Sequence, residues 1–296
     1  MENKKFQNRT LQDKLISGFN DFRFAVIEPI LLKYYRFKYE YNYKKENAEP
    51  LISVYVPTYN RGKLLMERAV ASVLAQTYKN FELIIVGDHC TDNTEELISK
   101  INDPRMSFYN IPKRERRYPP TVENHWLAGP VVAANTALTM TRGKWIARID
   151  DDDIWTEDHL ESLLRFAQKN NFEFVSALYE EERYGKRKIE DGERANGPYY
   201  NFKAKKNDNS PKIGGTQTWL YRSYLRFIKY NINCWRKSWN RVNDIDLGQR
   251  IYKAGTRIGF LNKAVAYVLP RPKEQTVGLE AYRLDIKGKE EHFKFD

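Results

Sequence analysis

Apolar positions follow two different periods along this chain. Leu11, Leu15, Phe19, Phe22, Val26 and Ile30 recur at spacings of three and four, the period of an amphipathic helix. Thr10 with Asp13 three residues later forms a capping box at its start, and Pro29 is expected to kink or end it. Tyr34, Tyr35, Phe37, Tyr39, Tyr41 and Tyr43 then interleave with Lys33, Arg36, Lys38, Lys44 and Lys45. Residues 1–49 read in two ways. One is a helix packed on the main body and followed by a solvated basic segment. The other is an anchor at a membrane surface, where amphipathic aromatics and basic side chains suit the headgroup zone.

From Pro50 the period changes. Leu51–Val56 is a β-branched run closed by Pro57 and predicts a buried strand. A helix is expected over 63–76, a strand over Phe81–Val86, a helix over 92–101 capped by Thr91 or Asp92, and a strand over Met106–Ile111. Such alternation predicts a parallel, doubly wound sheet, with ligands at the carboxyl ends of its strands. Residues 113–126 read as a basic loop carrying Lys113, Arg114, Arg116 and Arg117. A helix over 130–141 and a strand over Trp145–Ile149 follow, running straight into Asp150–Asp153. Further on, the pattern gives a helix (158–169), a strand (172–179), a long polar loop or loose hairpin (183–212), an aromatic stretch (216–228), a helix (244–254), strand-like segments over Ile258–Val268 and a charged, frayed tail from 279.

Composition narrows the class. The chain has 296 residues, of which 41% are hydrophobic and 14% aromatic, enough to bury a real core and too apolar for general disorder. No apolar run approaches the roughly 18 residues of a membrane-spanning helix. No charged–apolar–small leader pattern opens the sequence, and Cys90 and Cys234 make neither a disulfide framework nor a metal pair; together these point to a cytoplasmic protein. The net charge of +11 suits nucleic acid, an anionic membrane face or phosphorylated small molecules.

Three strand exits carry candidate chemistry. Four consecutive aspartates repel one another unless a cation compensates, and a hard divalent ion such as Mg²⁺ or Mn²⁺ does so while bridging substrate phosphates; a solvated acidic turn is the alternative. Val56-Pro57-Thr58-Tyr59-Asn60-Arg61 offers polar groups and a guanidinium for phosphate, or is an ordinary turn. In Gly87-Asp88-His89-Cys90-Thr91-Asp92, Asp88 is placed to accept from a base or ribose, and Asp92 to cap a helix.

The order of these pieces resembles the family 2 glycosyltransferases of GT-A fold. Leu51–Arg61 looks like that family's opening strand and nucleotide loop, and Phe81–Thr94 (FELIIVGDHCTDNT) like its second strand and acidic turn. Gly143–Trp155 (GKWIARIDDDDIW) looks like its DxD strand, and Asn243–Gly255 (NDIDLGQRIYKAG) like its late acidic helix start. The likeness covers about residues 50–268. It implies an α/β GT-A fold over 50–278, in which a Rossmann-like nucleotide half is fused to an acceptor half over one mostly parallel mixed sheet. It also implies transfer of a sugar from a nucleotide sugar, a UDP-sugar first among them, to a hydroxyl of a glycan or lipid-linked saccharide. By this resemblance Thr58, Tyr59, Asn60 and Arg61 line the nucleotide, and Asp88 holds a uracil-type base. Asp150 and Asp151 face the nucleotide sugar, Asp150 and Asp152 form the metal pair for Mn²⁺ or Mg²⁺, and Asp153 orders the site. Asp244 matches the general base of an inverting reaction, with Asp246 as fallback and a helix-cap role as the alternative. The sequence departs from the family at Asn243, where Glu is usual, and at Gly87, where Asp is common.

Further candidates are His125 in the basic loop, Asn135 on the helix before the DxD strand, and Trp219 in the Gly214–Trp219 segment as a stacking floor for an acceptor sugar. Each has a bland alternative: a loop histidine, a packing asparagine, a core tryptophan. Other classes fit less well. A nucleic-acid binder has no use for four aspartates at a strand end, and no specific nucleic acid is expected. A sugar nucleotidyltransferase usually has a Gly-rich, Lys-bearing first loop, and here that loop is Pro57-Thr58-Tyr59-Asn60. No G-x-x-x-x-G-K-[ST] stretch is present. A non-catalytic, lectin-like relative remains the other alternative.

Overall fold

The computed structural model describes residues 9–45, 48–115, 117–196 and 209–285. Arg116 of the basic loop, 197–208 of the polar stretch and the tail from 286 lie outside the described residues.

Strands β1 (Ile52–Thr58) and β2 (Phe81–Gly87) are buried at every position. Both faces of the sheet are covered, so the strands need a continuous apolar run rather than alternation. Ile52, Val54, Val56, Leu83 and Ile85 pack into one layer, Tyr55, Ile84 and Val86 into the other. The remaining strands are β3 (Met106–Asn110), β4 (Trp145–Arg148), β5 (Asp153–Trp155), β6 (Phe174–Arg183), β7 (Lys186–Glu190), β8 (Glu193–Arg194), β9 (Lys212–Ile213), β10 (Leu220–Arg222) and β11 (Ile258–Val268). The main sheet runs β3-β2-β1-β4-β10-β6-β11-β5, with β7 beside β6. β1 to β4 are parallel. β10 lies antiparallel to both β4 and β6, and so joins the two halves into one mixed sheet.

Around it lie α1 (Leu11–Lys44), α2 (Gly62–Leu65), a π-type turn (Met66–Val70), α3 (Ala71–Leu74), α4 (Thr94–Ser99), α5 (Val122–Ala128), α6 (Val131–Met140), α7 (His159–Lys169), α8 (Asn243–Lys253) and α9 (Gly278–Asp285). Four expectations need correcting. Pro29 does not end the first helix, which continues to Lys44. It is held on both sides of the proline: Glu28 pairs with Arg250, and Leu32 is buried. The aromatic segment is therefore helical, not a solvated extension. Tyr35, Tyr39 and Tyr43, four residues apart, meet Phe227, Tyr224 and Trp145 at ring distances of 5.1, 6.4 and 5.8 Å. The 113–126 loop ends in α5, capped by Thr121 Oγ1 accepting from the Asn124 N–H. Of the two readings of 183–212, the hairpin is found at its start: β6–β7, turned by Tyr184 and Gly185 at φ 51° and 71°, the double positive φ of a tight hairpin. The tail from 279 begins as helix α9 rather than frayed chain.

Candidate active site

The carboxyl ends of β1, β2 and β4 open into a cavity of about 340 Å³. Its wall includes Thr58, Tyr59, Arg61, Asp88, His125, Asp150–Asp153 and Asp244. Residues from five separated stretches thus converge, because β1, β2 and β4 run in register and exit on one side.

The aspartate turn is neutralised largely by arginine. Arg61 Nη1 donates to Asp151 Oδ1 at 3.0 Å and to Asp152 Oδ2 at 3.3 Å. Thr58 Oγ1 donates to Asp151 Oδ2 at 2.8 Å. The buried Arg148, two residues upstream, grips Asp150 Oδ1 through Nε and Nη2 at 3.1 and 2.7 Å. Arg68, on the π-type turn, donates to the Asp152 carbonyl at 2.8 Å and to those of Leu269 and Pro270 at 2.9 and 2.6 Å. It thereby ties the acidic turn to the exit of β11. Burial and the neighbouring aspartates push the Asp153 carboxyl well up, and burial raises Asp151 against the pull of Arg61. Both residues therefore shape the turn from within.

Asp150 and Asp152 remain partly exposed. The arginine bonds fall on Asp150 Oδ1 and Asp152 Oδ2, leaving the second oxygen of each outside them. Two hard carboxylate oxygens fit Mg²⁺ or Mn²⁺ when substrate phosphates and water complete the shell. No cluster of three or more acidic, His or Cys ligands occurs among the described residues.

Asp88 is buried between two guanidinium groups. Arg114 Nε donates to Oδ2 at 2.9 Å, as does Arg117 Nη1 at 2.9 Å. Arg117 Nη1 is also 2.8 Å from Oδ1, but Oδ1 has no aligned hydrogen-bond donor. Arg114 also lies over the Tyr59 ring at 3.8 Å. A side chain at Gly87 would meet Asn110 Oδ1 at 2.6 Å and Cys90 Sγ at 3.0 Å; this close approach accounts for glycine where the family commonly has Asp.

Asp244 also lines the cavity, in the first turn of α8. It accepts from Thr216 Oγ1 at 3.0 Å and from the Ile245 N–H at 2.8 Å. Burial raises its carboxyl pKa, while Arg148, the Ile245 N–H and Thr216 oppose the rise.

Other candidates land elsewhere. Asn60, at φ 49°, accepts from the N–H groups of Thr91 and Asp92 at 2.8 and 3.3 Å, so its amide fastens two loops and is not in the cavity wall. Asn135 exchanges hydrogen bonds with the Tyr230 backbone at 3.0 and 2.9 Å and is likewise structural. Asp246 is fully buried against Lys237 (2.6 Å) and Arg250 (3.2 Å), which removes it as a fallback base. Trp219 is in the core, with Nε1 donating to the Gly214 carbonyl at 2.8 Å. One edge of it lines a neighbouring cavity of about 180 Å³ that shares Tyr179, Gly215 and Asp244 with the first. His125 lines the main cavity beside Tyr118 Oη at 2.9 Å. Burial and then Arg114, Arg61 and Arg271 depress its pKa to about 3, so the ring is neutral at ordinary pH.

Sequence reasoning missed Arg68, Arg148, Arg271 and Tyr282. Tyr282 Oη accepts from Arg61 Nη2 at 2.6 Å, and its ring lies 4.4 Å from the Arg271 guanidinium. A lone arginine inside the apolar run Trp145–Ile149 was the one available signal, since buried charge is rare unless paired.

A Rossmann-like half and a mixed-sheet half meeting over an acidic strand exit make up the GT-A fold. A family model described as glycosyl transferase family 2 matches residues 53–228, more than half of the chain, and the protein belongs to that family. The fold is similar to that of S. aureus TarS 1–349 in complex with UDP-GlcNAc, with TM-score 0.54 and 21% identity over 76% of this chain and 60% of that one. It is also similar to the mannosyltransferase PcManGT from Pyrobaculum calidifontis in complex with GDP-Man and Mn²⁺, with TM-score 0.54 and 16% identity over 86% and 68%. Among sequence relatives, the Escherichia coli UDP-Glc:alpha-D-GlcNAc-diphosphoundecaprenol beta-1,3-glucosyltransferase WfgD is 33% identical over 44% of this chain and 46% of that protein. An uncharacterized glycosyltransferase of Rickettsia felis is 36% identical over 44% and 19%. The chain thus spans less than half the length of these two relatives.

Proposed function

We propose that this protein transfers a sugar from a nucleoside-diphosphate sugar to an acceptor hydroxyl, with inversion at the anomeric carbon. The observation that carries the reading is the cavity whose wall holds Asp88, Arg61, Asp150–Asp153 and Asp244 together. Arg61 and Arg271 attract the diphosphate, and Tyr59, stacked on Arg114, borders the nucleotide. Asp88, in the cavity wall and held by Arg114 and Arg117, is the carboxylate nearest in kind to the family's base-holding residue. A uracil-type base is the one that resemblance implies, and a UDP-sugar is the preferred donor. Mn²⁺ or Mg²⁺ held by Asp150 and Asp152 would stabilise the negative charge that builds on the departing diphosphate.

Asp244 takes the proton of the incoming hydroxyl. Its raised pKa makes it a better base than an exposed aspartate, and Thr216 with the Ile245 N–H fixes its direction. Attack from the side opposite the leaving group inverts the anomeric centre. The acceptor is a glycan or a lipid-linked saccharide, the latter the acceptor class in the name of WfgD.

Offering UDP-, GDP- and dTDP-sugars with Mn²⁺ or Mg²⁺ and measuring nucleotide release tests the reading. Release with at least one donor, lost in Asp152→Ala and Asp244→Ala, is expected. Tight nucleotide binding with no release or transfer from any donor would instead establish a non-catalytic binder.

A further inference from the structure

Helix α1 has two unlike faces. Its inner face is a polar and aromatic seam. Asp13 pairs with Arg236, Glu28 with Arg250, Arg36 with Glu173, and Glu40 with both Arg222 and Arg257. Its outer face is apolar along nearly its whole length: Leu11 is 73% exposed, Phe22 68% and Phe37 90%, and Leu15, Phe19, Val26, Ile30 and Tyr41 are exposed with them. Three of these series repeat every 11 residues: Leu11 and Phe22; Leu15, Val26 and Phe37; Phe19, Ile30 and Tyr41. That period, about 3.67 residues per turn, keeps the stripe nearly straight on the helix, over roughly 45 Å at 1.5 Å per residue.

Charge is sorted between the same faces. Of the helix acids, Asp13, Glu28 and Glu40 are matched on the body, and Asp21 at the margin lies 3.8 Å from Lys237. The exposed ionised groups are otherwise basic: Lys14, Arg23, Lys33, Lys38 and Lys44. No helix among the described residues is long and apolar enough to cross a membrane.

We propose that α1 docks this protein on an anionic membrane surface, its apolar stripe in the headgroup–acyl boundary and its lysines on lipid phosphates. An apolar stripe whose first row, Leu11 and Phe22, passes into Lys33 and Lys44, with further bases beside it, is what a planar anionic interface accepts. A second copy of the same face would bring cation against cation. The inference stands whatever sugar the cavity handles.

Co-sedimentation of the full chain with phosphatidylglycerol/phosphatidylcholine vesicles tests it. Binding is expected to be strong to these and weak to pure phosphatidylcholine. Phe22→Ser with Phe37→Ser should cut partitioning by more than tenfold. Lys33→Gln with Lys38→Gln, which removes no apolar group, should cut it by roughly fivefold per lysine. Nucleotide release from a soluble donor should be unchanged in both variants, which also reports that they fold. No binding to anionic vesicles, or equal binding by wild type and both variants, overturns the proposal. So does a lipid-free dimer that the Phe22/Phe37 variant dissociates, which would give the stripe to a second copy.

Discussion

The strand exit after β4 and the start of α8 hold their carboxylates with different partners. At the strand exit, Asp150, Asp151 and Asp152 all carry hydrogen bonds from guanidinium groups, Arg148 on one side and Arg61 on the other. At the helix start, Asp244 is held by a hydroxyl and a backbone N–H. A carboxylate held by guanidinium groups is fixed in position, which suits an anchor for cations and phosphate. A carboxylate in a buried site with only neutral donors has its pKa raised and can exchange a proton. From these partners, and not from pKa, since burial raises Asp151 and Asp153 as well, we infer that the strand exit handles metal and phosphate and Asp244 the proton.

The largest effect should come from Asp244→Asn. It leaves the shape and removes the base, so turnover should fall by about 10²–10⁴, with donor binding little changed in a calorimetric titration. Asp152→Asn should cost on the order of a hundredfold or more, through weaker metal-linked nucleotide binding, and added Mn²⁺ should partly restore it. The pH profile of kcat/KM tests the proton role directly. Because burial raises the Asp244 pKa, the carboxylate is lost on acidification sooner than in an exposed aspartate. The acid limb should therefore lie above the ordinary value of about 3.9. Thr216→Val should have the smallest effect. Removing one hydrogen bond to the charged form, worth about 1 kcal/mol, should move that limb up by somewhat under one pH unit and leave the alkaline plateau nearly intact.

The two places were also unequally legible in the sequence. β1, β2 and the strand into Asp150–Asp153 are continuous apolar runs ended by polar residues, so the strand exits could be read directly. Asp244 stood out through the resemblance of Asn243–Gly255 to the family's late acidic helix start. What matched those acids could not be read locally. Arg148 apart, which lies two residues before Asp150, the partners are distant: Arg61 reaches Asp151 and Asp152 from 90 and 91 residues away, Arg114 and Arg117 reach Asp88 from 26 and 29 residues away, and Tyr282 joins from the final helix. Such partners depend on tertiary placement, not on period. For the same reason Asn60, Asn135 and Asp246 looked functional. An exposed-looking polar residue near a motif is indistinguishable, in sequence, from one that closes on a distant backbone or cation. Pro29 misled in a related way: local chemistry disfavours a helix through it, and contacts on both flanks override that cost.

The most direct test of the division is to measure nucleotide binding and sugar transfer together in Asp244→Asn and Asp152→Asn. Asp244→Asn should bind the metal–nucleotide donor as the wild type does and fail to transfer, whereas Asp152→Asn should lose metal-linked binding. The reverse pattern, with binding lost on changing Asp244 and both binding and transfer kept on changing Asp152, would contradict the assignment.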